Sequence, residues 1–480
     1  MWPSIDPWLW GAIAGQVMAA PLGGPEAIAE LRTTRLRSLL AHAKANSPLY
    51  RRLLDGIDPQ HAGLHDLPVT RKRDLMAQFD EWVTDPRLRL AELQRFMADG
   101  NRIGEPGPHG YMAWQSSGSS GEPGVFVQDD MAMAVYDALE AQRRPWSARR
   151  LVDPWFTGER IVFVGATNGH FAGIASIRRL RGLNPALAGH FCDLSFLQPT
   201  AELVAQLNAF APTILATYPS AALLLAEEYR AGRLKSPPRE VWMGGESLSQ
   251  AMRRHVEEAF GCTVVESYGA SEFLVLASQC RCGRLHLNSD WAILESVDEH
   301  GQPVPDGQLG ATTLLTHLAN RVQPLIRYDL GDRIAIHAER CACGSPLPLV
   351  DVQGRRDDTL HLASKGRHVS VLPLAVCTVL EEEAGLVDFQ VVQRGPAELE
   401  ILVGDGAQTS PAPADRAPQV LAGFLQRVGA SGVRVALSTG PCRHLGPGGK
   451  IQRVVALSAP IRGDARHPPH VAPARRLQTT

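Results

Sequence analysis

Residues 114–126 read "WQSSGSSGEPGVF", two Ser-Ser pairs alternating with glycines just before a short apolar run. Glycine permits backbone conformations that other residues avoid, and consecutive N–H groups with serine hydroxyls form a concave donor surface suited to phosphate oxygens. The same stretch reads equally well as a flexible Gly/Ser linker. A second group of reactive side chains comes from the cysteines. Four of the eight in 480 residues are bunched as "CRCG" (280–283) and "CACG" (341–344). Eight are too sparse for a disulfide scaffold, whereas thiolates in fours suit tetrahedral zinc and the glycine after each Cys-X-Cys permits a tight turn. Cys280, Cys282, Cys341 and Cys343 are therefore the expected ligands of one structural Zn²⁺. The spacing is short for a zinc pair, His286 could replace one sulfur, and four reduced thiols without metal are the plainer alternative.

The elements that would position a phosphate loop lie in the middle of the chain. "RIVFVGAT" (160–167), "TILATY" (213–218), "EVWMGG" (240–245) and "CTVVESYG" (262–269) have the apolar runs of buried strands. Helices are expected between them, one after Pro219-Ser220 and one through "SQAMRRHVEEAF", with Ser249 as its N-cap and Gly261 closing it. Strand-helix-strand alternation implies a parallel sheet, whose ligands bind beyond the carboxyl ends of the strands. Those ends read Tyr218-Pro219-Ser220, Gly244-Gly245-Glu246 and Tyr268-Gly269-Ala270-Ser271-Glu272. Upstream, "RLRSLLAHAKANSPLYRRLL" (35–54) predicts surface helices broken at Ser47-Pro48, and Thr70 reads as an N-cap of the next helix. "GAQTSPAPADRAP" (406–418) and the tail after Pro460 read as loop or disorder.

Composition bounds the partners. At 480 residues and 44% apolar content the chain exceeds what one core usually supports, so two or more domains are expected. A formal net charge of −2 advertises neither a nucleic-acid nor an anionic-membrane surface. No run of about 18 uncharged apolar residues is present to span a bilayer, and the opening residues carry Asp6 without the basic start of a signal peptide. The chain reads as a cytoplasmic protein acting on small molecules, with a homodimer left open.

Six segments bring these readings together: "SSGSSGEPG" (116–124), "GGES" (244–247), "SYGASE" (267–272), "YDLGDR" (328–333), "GRRDD" (354–358) and "GGKIQRV" (448–454). Each alone is weak. In this order and spacing they resemble the core motifs of adenylate-forming enzymes, and most of all those of phenylacetate-CoA ligases. The resemblance implies an α/β fold, with a large N-terminal domain of parallel-sheet subdomains over residues 1–353. A small mobile α+β C-terminal domain would follow over 354–458, and a disordered tail over 459–480. It implies an acid-thiol ligase that uses ATP and Mg²⁺ to convert an aromatic or arylalkyl acid to its adenylate. Coenzyme A would then displace AMP. Two other readings stay open: transfer of the acyl group to an amine or carrier protein, and a zinc-knuckle nucleic-acid-binding protein, against which the near-neutral charge counts.

The resemblance also assigns residues. Ser116, Ser117, Gly118, Ser119, Ser120 and Gly121 would wrap the β- and γ-phosphates, although Glu122 stands where such loops usually carry lysine. Gly244, Gly245 and Glu246 would lie along the adenine, Tyr268 would stack on it, and Glu272 would ligate Mg²⁺. Asp332 would accept from the ribose hydroxyls and Arg355 would reach the same sugar or the α-phosphate. Tyr218, Pro219, Gly269 and Ala270 would border the acid, with "GATNGHFAG" (165–173) and its His170 nearby. Asp357 matches the hinge of the small domain, and Lys450 the lysine that this domain delivers to the adenylation step.

Overall fold

The computed structural model describes residues 6–116, 123–145, 158–183, 185–364, 367–403, 411–439 and 452–457. The helices Gly24–Asn46 and Pro48–Leu53 meet at Ser47, whose hydroxyl accepts from the Tyr50 N–H at 3.2 Å and caps the second helix. They are not merely surface elements, because Leu36, Leu39, Leu40, Ala43 and Tyr50 are buried in the largest core cluster. Thr70 does not cap a helix. It is buried and donates to the Ile326 carbonyl at 3.0 Å, and the helix Lys72–Ala77 has Arg71 at its N-cap position with no side-chain cap. The Gly/Ser stretch connects an antiparallel pair, β1 (Met112–Gln115) and β2 (Val125–Gln128), registered through Trp114 opposite Phe126.

The expected parallel sheet is present. β3 (Ile161–Gly165), β4 (Phe191–Ser195), β5 (Ile214–Thr217), β6 (Glu240–Met243) and β7 (Thr263–Tyr268) pair in the order β4-β3-β5-β6-β7, all parallel. The helix Gln250–Phe260 starts with the Ser249 hydroxyl accepting from the Met252 N–H and ends on Gly261 at φ 63°. β4, half-buried at the sheet edge, is absent from the sequence reading because "FCDLS" lacks a continuous apolar run. Beyond β7 the sheet continues antiparallel through β8 (Ala277–Gln279) and β9 (Leu285–Leu287). A separate sheet holds β10 (Ala292–Val297), β11 (Thr312–His317) and β12 (Tyr328–Asp329). β13 (Asp332–His337) and β14 (Leu349–Arg355) then complete nine strands in the order β13-β14-β9-β8-β7-β6-β5-β3-β4.

From Leu360 onward the described residues build a core of their own, running from Leu360 to Val454. It contains the hairpin β15 (Leu360–Ser364) with β16 (Arg367–Val371) and a four-stranded sheet. That sheet comprises β17 (Phe389–Gly395), β18 (Glu398–Val403), β19 (Arg434–Thr439) and β20 (Val454–Val455), in the order β19-β18-β17-β20. Residues 411–418 of the stretch expected as loop or disorder are helical. A helix runs over Pro411–Arg427 with Pro418 inside it, and Ala417, Leu421 and Leu425 are buried along its core face. Among the described residues, no helix is long and apolar enough to cross a membrane.

Candidate active site

The carboxyl ends of β5, β6 and β7 lie side by side because the three strands are sheet neighbours. At the end of β7, Tyr268 is buried and its hydroxyl donates to Asp332 Oδ2 at 2.6 Å. Burial, and then the Asp332 charge, push the phenol well above its ordinary range, so it holds its proton as a donor. Arg355 lies 3.6 Å from the other Asp332 oxygen and also donates to the Leu330 carbonyl at 3.1 Å. Asp332 begins β13 and Arg355 ends β14, and the two residues are directly paired across that hairpin. Three of the sequence-predicted residues thus form one connected group.

Glu272, four residues past Tyr268, is buried and accepts from the Tyr328 hydroxyl at 2.9 Å. The Tyr328 phenol is likewise raised well above its usual range, by burial first and the Glu272 charge second. The turn between Tyr268 and Glu272 is tight. A Cβ on Gly269 would lie 1.9 Å from the Leu274 carbonyl oxygen, so no side chain fits there, and the Trp114 indole clamps the Ser271 carbonyl at 2.7 Å. Tyr328 occurs in "YDLGDR" but was given no role from sequence. Its position only becomes meaningful once β12 brings it beneath Glu272.

At the ends of β5 and β6, Glu246 accepts from the Ser220 N–H and hydroxyl, both at 3.0 Å. This locks the "GGES" turn to the start of the helix Pro219–Arg230, although the sequence reading assigned Ser220 nothing. Gly244 approaches the Ser267 carbonyl so closely that a Cβ would stand 3.0 Å from its oxygen. Tyr218 caps this group with edge-on contacts to Phe163 (6.4 Å, 85°) and Phe196 (5.8 Å, 79°). Its phenol is pushed up to about 12 by burial and the neighbouring Glu246 charge. Pro219 is buried beneath it, and Gly269 and Ala270 are half-buried on the β7 side. His170 is buried away from this face: its Nε2 meets the Asp99 carbonyl at 3.0 Å and its ring abuts Phe96, which makes it a packing residue.

Of the phosphate loop, Ser116 is described. Its N–H and hydroxyl bond with Gly124 across the loop mouth, both at 2.8 Å. Ser117, Gly118, Ser119, Ser120, Gly121 and Glu122 lie outside the described residues, as does Lys450, and only the backbone is described for Asp357. Two of the motifs nevertheless touch. Gln452 of "GGKIQRV" donates to Asp358 of "GRRDD" at 2.5 Å, and Arg453 pairs with Glu381 and contacts the Met252 sulfur at 3.3 Å.

Of the two cysteine arrangements expected from sequence, the structure groups the one that includes His286. The side chains within 4.8 Å of one another are Cys280, His286, Cys341 and Cys343. Cys282 is exposed and outside this group, and His286, on β9, lies within it.

The chain is similar to known proteins in sequence and in fold. A family profile described as AMP-binding enzyme matches residues 181–314. The chain is 28% identical over 395 residues to phenylacetate-coenzyme A ligase of Thermus thermophilus, covering 78% of this chain and 80% of that one. It is 27% identical over 383 residues to phenylacetate-coenzyme A ligase of Escherichia coli, covering 75% and 76%. In fold it is similar to 2-hydroxyisobutyryl-CoA ligase in the postadenylation state, with a TM-score of 0.65, 21% identity, and 90% and 89% of the two chains covered.

Proposed function

We propose that this chain, similar to AMP-binding enzymes and to phenylacetate-coenzyme A ligases, is an adenylate-forming enzyme whose site converts an aromatic or arylalkyl carboxylic acid to the CoA thioester. The reaction is ATP-dependent and AMP-forming. A carboxylate oxygen attacks the α-phosphorus of ATP and pyrophosphate leaves. The CoA sulfur then attacks the acyl carbon, the C–O bond to AMP breaks, and the thiol proton passes to solvent. The observation that carries the residue assignment is the connected group Tyr268–Asp332–Arg355 at the end of β7, where a parallel sheet presents its ligand face.

In this reading Tyr268 supports the adenine, Asp332 accepts from the ribose hydroxyls, and Arg355 steers the sugar or the α-phosphate. Gly244, Gly245 and Glu246 form the far wall of the nucleotide. Glu272, a buried carboxylate at a strand end, has the hard oxygen donors that Mg²⁺ takes, and would hold it to neutralise phosphate charge. Ser116 to Gly121 wrap the leaving phosphates. Lys72 passes beside the loop exit, with its Cδ 3.5 Å from where a Gly124 Cβ would stand, and supplies positive charge near a loop that carries Glu122 instead of lysine. Lys450 neutralises the adenylation step and withdraws as the segment from residue 354 turns about Asp357.

The aromatic preference rests on the ring walls around Tyr218 and on the arylalkyl acid for which the relatives are named. A panel of aryl, arylalkyl and short aliphatic acids, scored for AMP formation with and without coenzyme A, tests the reading. CoA-dependent turnover of aryl acids is expected. Acid-dependent AMP release that rises with an amine or carrier acceptor, and not with CoA, would replace the thioester.

A further inference from the structure

We propose that Cys280, His286, Cys341 and Cys343 hold one structural Zn²⁺ as a Cys₃His site, with Cys282 outside the coordination sphere. The four donor atoms lie within 4.8 Å of one another although they come from two hairpins some sixty residues apart. Zn–S bonds of about 2.3 Å in a tetrahedron place two sulfurs about 3.8 Å apart. Cys280 Sγ and Cys341 Sγ are 3.8 Å apart, a separation far too long for a disulfide. Cys343 Sγ and His286 Nε2 are 3.3 Å apart, close to the S···N edge of about 3.5 Å expected from a zinc–nitrogen bond near 2.0 Å.

The surroundings are built for thiolates. His286 is buried, and its Nδ1 meets the Leu347 carbonyl at 2.7 Å. A carbonyl can only accept, so Nδ1 carries the proton and Nε2 turns a lone pair toward the sulfurs, the outer arrangement that metal-bound histidines adopt. The two Cys-X-Cys-Gly segments have matching turns. Gly283 at φ 77° donates to the Cys280 carbonyl at 2.9 Å, and Gly344 at φ 85° donates to the Cys341 carbonyl at 3.0 Å. Each turn also aims a backbone N–H at sulfur: Cys282 N to Cys280 Sγ and Ser345 N to Cys343 Sγ, both at 3.4 Å. Such donors offset the negative charge that three thiolates leave on a dication.

Four protein ligands leave no open position, so the metal is structural and the chemistry of the nucleotide site does not pass through it. It would clamp the β8–β9 hairpin to the connection between β13 and β14. Those same elements carry the nucleotide group at their other ends, because β8 pairs with Tyr268 and β13 begins at Asp332. Binding would release the three thiol protons to solvent.

The test is metal analysis of the full chain, expressed without added zinc and desalted, for the parent protein, Cys282→Ser, Cys343→Ser and His286→Ala. About one zinc per chain is expected in the parent and in Cys282→Ser. At least a several-fold loss, with a lower Tm, is expected in the other two. If those variants do not fold, the parent alone decides. A mercurial thiol reagent should release about one zinc per chain to a colorimetric indicator, and Co²⁺ refilling should give the visible bands of a tetrahedral thiolate site. Parent protein with well under one zinc per chain and freely titrating thiols would overturn the proposal. So would a Cys282→Ser variant that loses its zinc as fully as Cys343→Ser.

Discussion

Tyr268 and Asp332, 64 residues apart in the chain, share a 2.6 Å hydrogen bond that joins the last residue of a parallel strand to the first residue of an antiparallel one. The bond fixes an aromatic face and a carboxylate relative to each other before any nucleotide arrives. A hydrogen bond to a charged group contributes about 1.5–3 kcal/mol. Tyr268→Phe keeps the ring and removes the donor, so the KM for ATP should rise roughly 10-fold and the Tm should fall modestly. Steady-state kinetics at saturating acid and CoA check this, and an unchanged KM would detach Asp332 from nucleotide binding.

Glu272→Gln should separate charge from shape. The amide oxygen can still accept from Tyr328, so the fold is retained, but the hard anionic donor is gone. Adenylate formation should fall on the order of 100-fold, and the Mg²⁺ concentration for half-maximal rate should rise. A magnesium titration of the variant that overlays the parent would remove Glu272 from the metal.

Lys450→Ala should abolish adenylate formation, by on the order of 100-fold or more, yet leave much of the thioester step when synthetic acyl-adenylate is supplied. Gln452, two residues past Lys450, donates to Asp358 of "GRRDD", the motif proposed as the hinge. A variant that forms adenylate at the parental rate would end the reading of a lysine delivered and withdrawn by a moving domain.

His317 sets a pH dependence of stability. Its Nδ1 accepts from the Ala319 and Asn320 N–H groups, so its proton sits on Nε2, which faces the Tyr136 hydroxyl at 2.7 Å. Charging the ring would aim a second proton at two donors, and burial lowers its pKa from 6.5 to about 3. The unfolded chain therefore binds one more proton than the folded chain between pH 6.5 and about 3, and stability falls with acidification across that window. The slope from this residue is about 1.4 kcal/mol per pH unit. Urea unfolding of parent and His317→Gln from pH 7 to 5 should show the shallower fall in the variant.

The parallel strands and their helices were legible because buried strands are continuous apolar runs and Ser249 and Gly261 mark helix ends by their own chemistry. β4 and β8 escaped because an edge strand and a three-residue strand owe their pairing to neighbours rather than to their own pattern. The helix at Pro411 was hidden by prolines that read as breakers, although Ala417, Leu421 and Leu425 share its buried face. At the site, residues named by motif could be placed on strand ends from sequence alone. Tyr328 and Ser220 could not, because each depends on which distant element folds beneath a motif; His286 was readable as an alternative ligand, but which cysteine it stands in for depends on how the two Cys-X-Cys turns face each other.

The central claim is that the carboxylate becomes bonded to the α-phosphorus of ATP before the thiol attacks, and oxygen transfer tests it most directly. An accepted acid labelled with ¹⁸O in both carboxylate oxygens is turned over with ATP and coenzyme A, and the AMP is weighed by mass spectrometry. One ¹⁸O per AMP is predicted, with the other retained in the thioester carbonyl. AMP without label, or ADP as the nucleotide product, would contradict the account.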